Sequence, residues 1–487
     1  MIIVLFGATG DLAGRMVMPA LVELRTRGLM LRHWRLVGCA MDAIDDAAFV
    51  GILRASLERN GGLPEDWEEL ATHARYVGGA FGADDPGALP DVLAEVRGEL
   101  RGLGGDEPLV VFFLAVPPVA FPSITAGLGR HGLADGARVV FEKPYGTSLE
   151  SFEELDALVK RTLREDQVFR IDHFLGKEGV QTIYTLRFAN KIFGAQWDRH
   201  AVAQVQIDVP EDLDVANRAA FYEATGASLD MLVTHLFQVA SQVAMDTPYD
   251  MADPESILFE RDAVLHRFRP LDPANDVVLG QFTGYRDTDG VEPDSTQDTF
   301  VAARLWVDSD RWRGVPFVLR TGKMMARKAQ MITLVLRPAD GPMPAVAARP
   351  NTIEINFSGA GEIFLGITVK APGPDVKLSW GRAMLDLDDV PGGEPISPYA
   401  SLIDDVIHGD RSLFTTEAGL RAAFHAFAPL QGDARPEPLP YAPGSWGPAE
   451  AARLVAPYGW LLEQEGTMPA ADWDAAGREA TGRETAP

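Results

Sequence analysis

Residues Ile2–Phe6 form an unbroken apolar run, too short for a helix and rich in β-branched side chains. That pattern predicts a strand buried on both faces of a parallel sheet. Gly7-Ala8-Thr9-Gly10 follows it, and from Asp11 to about Gly28 an apolar stripe through Leu12, Met16, Leu21 and Leu24 predicts a helix. Trp34–Ala40, Leu109–Val116 and Arg138–Phe141 predict further strands, with helical stretches between them, one beginning after Asp45-Asp46. Strands alternating with helices over roughly the first 170 residues predict a doubly wound α/β domain, Rossmann-like, with a parallel sheet.

From about residue 200 the rhythm changes. Val202–Val209, Phe300–Val307, Met331–Leu336, Thr352–Phe357 and Glu362–Val369 are strand-like runs with turn-rich joints, and Gly359-Ala360-Gly361 separates the last two like a hairpin. Successive strands without intervening helices predict a large antiparallel sheet and an α+β second domain. The expected division is residues 1–172 for dinucleotide binding and 173–487 for substrate binding and oligomerisation. Gly341–Pro350, Ala371–Pro374 and Pro391–Pro395 read as loops, and the acidic, Ala/Gly-rich tail after about Leu462 as weakly packed.

Charge narrows the partners. The 487 residues carry 44 Lys plus Arg against 70 Asp plus Glu, a formal charge of −26. Such a surface repels nucleic acid and anionic membrane, so an anionic ligand has to be met by a local cluster of cations. The single cysteine, Cys39, excludes an intrachain disulfide and a cysteine-rich metal site. With no apolar run long enough to span a bilayer and no signal-like N-terminal segment, a soluble cytoplasmic protein is expected.

Five segments carry candidate chemistry. Gly7-x-x-Gly10-x-x-Ala13 is a shortened dinucleotide turn: Gly7 for the sharp bend, Gly10 for close approach of a pyrophosphate, Ala13 for helix–sheet packing. Any tight βα turn uses such glycines; its place after the first strand favours the cofactor. Asp11 fits either a site or an ordinary first helical turn. Glu142-Lys143-Pro144-Tyr145-Gly146 follows a strand end, where ligands bind in doubly wound sheets, and Pro144 restricts Lys143 to extended geometry with a peptide bond able to be cis. Arg170–Glu178 places Asp172, His173 and Lys177 within six positions, which suits an active site or a solvated loop. Asp230 and His235 lie on a predicted helix over Ser228–Met245, about 140° apart, flanking a pocket rather than sharing a face. Arg320, Lys323, Arg327 and Lys328 put four cations in nine residues, a phosphate site or a solvated loop.

Taken together, the segments GATGDLAGR (Gly7–Arg15), EKPYG (Glu142–Gly146), RIDHFLGKE (Arg170–Glu178) running into LRFANKIF (Leu186–Phe193), PFVLRTGK (Pro316–Lys323) and GSWGP (Gly444–Pro448) resemble the glucose-6-phosphate dehydrogenase family over nearly the whole chain. The resemblance implies oxidation of β-D-glucose 6-phosphate at C1 to 6-phosphoglucono-δ-lactone, with hydride passing to NAD or NADP, at the head of the oxidative pentose phosphate or Entner–Doudoroff route. It implies His235 as general base, Asp172 as the carboxylate orienting it, and Lys143 between substrate and nicotinamide. His173 and Lys177 match phosphate ligands, Glu211 and Asp230 sugar-hydroxyl contacts, and Lys323 with Lys328 (or Arg327) basic residues near the substrate. Gly7, Thr9, Gly10, Asp11 and Leu12 match cofactor contacts. No metal is implied, and a homodimer or homotetramer is.

The chemistry agrees. Hydride leaves C1 only as the hydroxyl proton is removed, and imidazole suits a base working near neutrality. A buried carboxylate holds the ring in one tautomer and stabilises the imidazolium. The second strand ends in Ala40-Met41-Asp42, where relatives using NADP show Ala-Arg, and Met16 stands where they commonly carry Lys. An acidic residue there accepts from ribose hydroxyls and repels a 2′-phosphate, so NAD is the favoured cofactor, with Arg15 the nearest cation able to swing toward a 2′-phosphate. Two departures, Phe174 for the family's Tyr and Thr234 for Asn before the base, leave a paralogue acting on another phosphorylated or anionic sugar as the alternative. A non-catalytic scaffold is disfavoured because Asp172, His235, Lys143 and Lys177 are all present.

Overall fold

β1 (Ile2–Phe6) is buried at every position and forms the middle of a six-stranded sheet. In the computed structural model, which describes residues 1–104, 107–215, 218–339 and 349–464, this sheet also contains β2 (Arg35–Ala40), β3 (Ala74–Gly78), β4 (Val110–Leu114), β5 (Arg138–Phe141) and β6 (Val168–Arg170). The order is β3-β2-β1-β4-β5-β6 and every pairing is parallel. The order reverses between β1 and β4, and a crevice outside the carboxyl ends of the strands at such a point is where this architecture takes ligands. The helix expected from Asp11 is present; its Ala13–Val17 segment is a π-helix, closed by Met18 N–H donating to Ala13 C=O, before α-helix resumes over Met18–Thr26.

The second sheet has nine strands: β7 (Val202–Pro210), β8 (Val277–Phe282), β9 (Phe300–Trp306), β10 (Pro316–Gly322), β11 (Met331–Leu336), β12 (Thr352–Asn356), β13 (Glu362–Lys370), β14 (Leu378–Asp386) and β15 (Leu439–Tyr441). Its order is β14-β13-β12-β11-β7-β10-β9-β8-β15. The expected antiparallel sheet is in fact mixed: β7 and β10 run parallel at its centre, with Val205 opposite Phe317 and Pro210 opposite Gly322, and β15 runs parallel to β8 at its edge. Parallel neighbours need a long connection. The chain supplies one, because helices and the antiparallel pair β8–β9 intervene between β7 and β10.

The chain forms two compact units, and a single cut after residue 172 does not describe them. The first is Met1–Gly176 joined by Pro248–Asp262 and Ile396–Arg421; the second is Lys177–Thr247, Ala263–Pro395 and Ala422–Pro487. Most of the loop expected at Gly341–Pro350 and nearly all of the tail after Leu462 lie outside the described residues. Among the described residues, no helix is long and apolar enough to cross a membrane.

Candidate active site

In the first unit the glycine turn is shaped for close approach. Gly7 has φ of +75°, and a Cβ there would fall 2.2 Å from the Ala115 carbonyl oxygen, so the bend admits only glycine. Its N–H donates to Cys39 C=O at 2.7 Å, tying the turn to the end of β2, and Gly10 N–H donates to Gly7 C=O at 2.9 Å. Gly10 and Asp11 are exposed, Ala13 is buried, and the helix's opening N–H groups have no intrahelical acceptor, as an anion site requires. Thr9 Oγ1 donates to Asp42 Oδ2 at 2.6 Å, and Asp42 C=O accepts from Tyr76 OH at 2.9 Å. The carboxylate at the end of β2 therefore stands beside the turn, as a ribose-binding acid would. Met41 is 74% exposed, and Arg15 is engaged with Asp11 at 3.1 Å. The turn and the acid together fit a dinucleotide.

β5 delivers the Lys143 segment. Glu142 is buried and accepts from Tyr399 OH at 3.1 Å; burial pushes its carboxyl up to about 7, against the opposing pull of Tyr399 and of the Lys143 N–H and ammonium. The Lys143–Pro144 bond is cis and Lys143 is half-buried. Tyr145 packs under the Arg170 guanidinium at 4.7 Å, and a Cβ on Gly146 would sit 2.7 Å from Phe152 Cα.

β6 delivers the signature. Arg170 is fully buried on Asp156 (3.1 Å) and Glu165 (2.7 Å), which makes it an anchor. Asp172 is 1% exposed, and its Oδ1 accepts from Phe174 N–H at 2.9 Å. Burial pushes its carboxyl up to about 6, opposed by His173, that N–H, Lys143 and Arg261. His173 is half-buried and meets the edge of the buried Phe174 ring at 4.9 Å.

In the second unit the parallel pair β7–β10 brings two expected residues side by side. Glu211 directly follows β7 and Lys323 directly follows β10; they form an ion pair, and Glu211 N–H donates to Gly322 C=O at 2.9 Å. An antiparallel pairing would have sent these strand ends apart. Lys323 Nζ lies 5.5 Å over the Tyr222 ring, and burial together with the Asp230 and Glu211 carboxylates pushes the Tyr222 phenol well up. Asp230 and His235 are both buried, on a π-helix over Leu229–Leu236 that Phe237 N–H closes onto Leu232 C=O. In an i→i+5 helix five residues make a little more than one turn, so the expected separation of about 140° is corrected to roughly 50°. Thr234, in place of Asn, donates its hydroxyl to Asp230 C=O at 2.6 Å.

Lys177 precedes the helix Glu178–Ala189 and donates to Gln330 Oε1 at 2.7 Å. Lys328 is exposed. The four cations of residues 320–328 do not make one site. Arg320 is fully buried, bidentate on Asp208 at 2.9 and 2.5 Å and stacked on Trp446 and Trp460, while Arg327 donates to Leu462 C=O at 3.2 Å. Tyr222, Gln330 and Tyr399 were missed from the sequence. Their contacts, Lys323 over the Tyr222 ring, Lys177 at Gln330 and Glu142 at Tyr399, come from far away in the chain, and no local pattern marks them.

Two family models match the chain: the NAD binding domain of glucose-6-phosphate dehydrogenase over residues 4–182, and the C-terminal domain of that enzyme over 184–462. The chain is 35% identical over 484 residues to glucose-6-phosphate 1-dehydrogenase 2 of Mycobacterium tuberculosis, covering 93% of this chain and 92% of the relative. It is 33% identical over 475 residues to the cytoplasmic glucose-6-phosphate 1-dehydrogenase 6 of Arabidopsis thaliana, covering 94% and 91%. The crystal structure of glucose-6-phosphate 1-dehydrogenase from Mycobacterium avium is similar with TM-score 0.81 and 31% identity, covering 96% of this chain and 99% of that one. A glucose-6-phosphate dehydrogenase solved in complex with its substrate glucose-6-phosphate is similar with TM-score 0.87 and 28% identity, covering 94% and 97%.

Proposed function

The chain belongs to the glucose-6-phosphate dehydrogenase family, and we propose that it oxidises β-D-glucose 6-phosphate at C1 to 6-phosphoglucono-δ-lactone, with NAD preferred over NADP. The nicotinamide cofactor supplies the hydride acceptor. His235 takes the C1 hydroxyl proton, so charge does not build on that oxygen as the carbonyl forms. Asp172 is assigned as the carboxylate that keeps the imidazole in its working tautomer. Lys143 is assigned beside the reacting carbon. His173, Lys177, Lys323 and Lys328 meet the phosphate, and Glu211 and Asp230 accept from sugar hydroxyls. Gly7, Thr9, Gly10, Asp11 and Leu12 hold the dinucleotide.

The observation that carries the substrate class is the cluster of Glu211, Lys323, Tyr222 and Asp230, which offers carboxylates and an ammonium around one aromatic face in a strongly acidic protein. The Thr9–Asp42 hydrogen bond supports NAD, because it holds an acid where a ribose hydroxyl would be bound and a 2′-phosphate repelled. The protein is placed in the cytoplasm as a homodimer or homotetramer, feeding the oxidative pentose phosphate or Entner–Doudoroff route. One observation favours a different phosphorylated sugar: Phe174, buried against His173, has no hydroxyl to offer a phosphate. Initial rates for a panel of phosphosugars crossed with NAD and NADP decide both questions. The expected best pair is glucose 6-phosphate with NAD.

A further inference from the structure

The helix Pro398–His408 belongs to the first unit although more than two hundred residues separate it from the rest of the nucleotide-binding sheet. It is fastened at both ends. At its start, Ser397 N–H donates to the Glu23 carboxylate at 3.2 and 3.3 Å, reaching the helix that follows the glycine turn. At its end, the Arg138 guanidinium donates to Val406 and Ile407 C=O at 2.6 and 2.7 Å, reaching the start of β5. Pro398 C=O lies so close to Gly176 that a Cβ there would stand 2.9 Å from it, which fixes the end of the signature loop. Between these fastenings Tyr399, itself buried, donates its hydroxyl to buried Glu142. The Asp172 carboxylate also acts on the Tyr399 phenol.

We propose that Tyr399 is a positioning residue for the reaction: its hydroxyl holds the Glu142 carboxylate in place and so governs the charge next to Lys143. The inference rests on the reading of Lys143 as a residue beside the reacting carbon. The groups facing the Glu142 carboxyl are Lys143, through both its backbone N–H and its ammonium, and Tyr399, with Asp172 beyond the phenol. A hydrogen bond to the charged form favours ionisation, whereas burial opposes it. Near neutral pH this balance is close, because burial alone has pushed the carboxyl up to about 7 even with Tyr399 in place. Removing the hydroxyl therefore turns Glu142 neutral over the working range and takes away the negative partner of the Lys143 ammonium.

Tyr399→Phe keeps the ring and its packing and removes only the hydroxyl; Glu142→Gln keeps an acceptor for Tyr399 and removes the titration. The part of the protonated-carboxyl infrared band that Glu142→Gln abolishes, followed against pH in the protein without ligands, isolates Glu142 from the other buried carboxyls, Asp172 among them. The acid limb of kcat for glucose 6-phosphate oxidation reads its consequence. In Tyr399→Phe the carboxyl titration and one kcat limb should both rise by about one to two pH units, the equivalent of a hydrogen bond to a charged group. In Glu142→Gln both should vanish, with thermal unfolding nearly unchanged. A carboxyl that titrates at the same pH in Tyr399→Phe, or kcat profiles of both variants that overlay the wild type, would overturn the proposal. Should the protein not oxidise glucose 6-phosphate, the function fails while the infrared titration still decides the Tyr399–Glu142 coupling.

Discussion

The cofactor assignment gives a perturbation whose size can be worked out. In Met41→Arg/Asp42→Ser the end of β2 loses an exposed carboxylate held 2.6 Å from Thr9 and gains a guanidinium at a position already 74% exposed. A hydrogen bond from a ribose hydroxyl to a carboxylate is worth about 1.5–3 kcal/mol, reduced to roughly 1–2 kcal/mol in so exposed a place. NAD should therefore lose about 5–30-fold in kcat/KM. For NADP, Asp42 facing a 2′-phosphate dianion at roughly 5 Å in water costs about 0.8 kcal/mol per charge, or about 1.7 kcal/mol in all. Its removal, plus about 1.5 kcal/mol or more from an Arg–phosphate pair, should raise NADP by about 200-fold or more. The cofactor ratio should thus move by about a thousandfold or more, and the NADP part should shrink as salt is raised, since exposed charges are screened over about 10 Å at 0.1 M. Initial rates with both cofactors, at low and moderate ionic strength, measure this. A wild-type preference for NADP, or a ratio that moves less than about tenfold, would refute the reasoning.

Three other changes test the site. His235→Asn should lower kcat by about 10²–10⁴-fold with little change in KM, measured under conditions where hydride transfer limits the rate; wild-type turnover would move the role of base to His173. Asp172→Asn should impair turnover yet stabilise the fold at neutral pH. Burial pushes this carboxyl from its ordinary 3.8 up to about 6, so the folded state binds the proton more tightly than the unfolded one. The stability this group contributes is complete below about pH 4 and is lost as pH rises through about 6. Urea denaturation should accordingly show the variant about 2–3 kcal/mol more stable at pH 7 and no more stable at pH 4, the Asn oxygen still accepting from Phe174 N–H. Phe174→Tyr should lower KM for glucose 6-phosphate by about tenfold, the effect of one hydrogen bond to a charged acceptor; an unchanged or higher KM would favour the other phosphosugar.

What could be read in advance depended on how local each determinant is. Ile2–Phe6 and Arg138–Phe141 match their strands residue for residue, because burial on both faces leaves an apolar run that needs no partner to be recognised. In sequence Arg320 groups with Lys323, Arg327 and Lys328 as a phosphate site or a solvated loop, yet it lies within β10 (Pro316–Gly322). It is buried there because Asp208, 112 positions away, and two tryptophans neutralise and cover the guanidinium. The parallel pairing of β7 with β10, which juxtaposes Glu211 and Lys323, depends on the connection between them and leaves no periodic trace. Asp230 and His235 are expected on one helix and lie on one, but α-helical spacing overstates the angle between them, since a π-helix has no distinct residue pattern. Tyr399 reaches Glu142 across 257 residues, and no reading of either segment alone connects them.

The central proposal is that the Glu211–Lys323 pair, with the other residues assigned to the phosphate, recognises a sugar phosphate for oxidation. Following reduced nicotinamide with NAD as acceptor, kcat/KM for glucose 6-phosphate against free glucose tests it most directly. Several charge-assisted phosphate contacts at about 1.5–3 kcal/mol each predict that the phosphate ester is favoured by about a thousandfold or more. Equal values for the two sugars, or no reduction with glucose 6-phosphate at all, would contradict it.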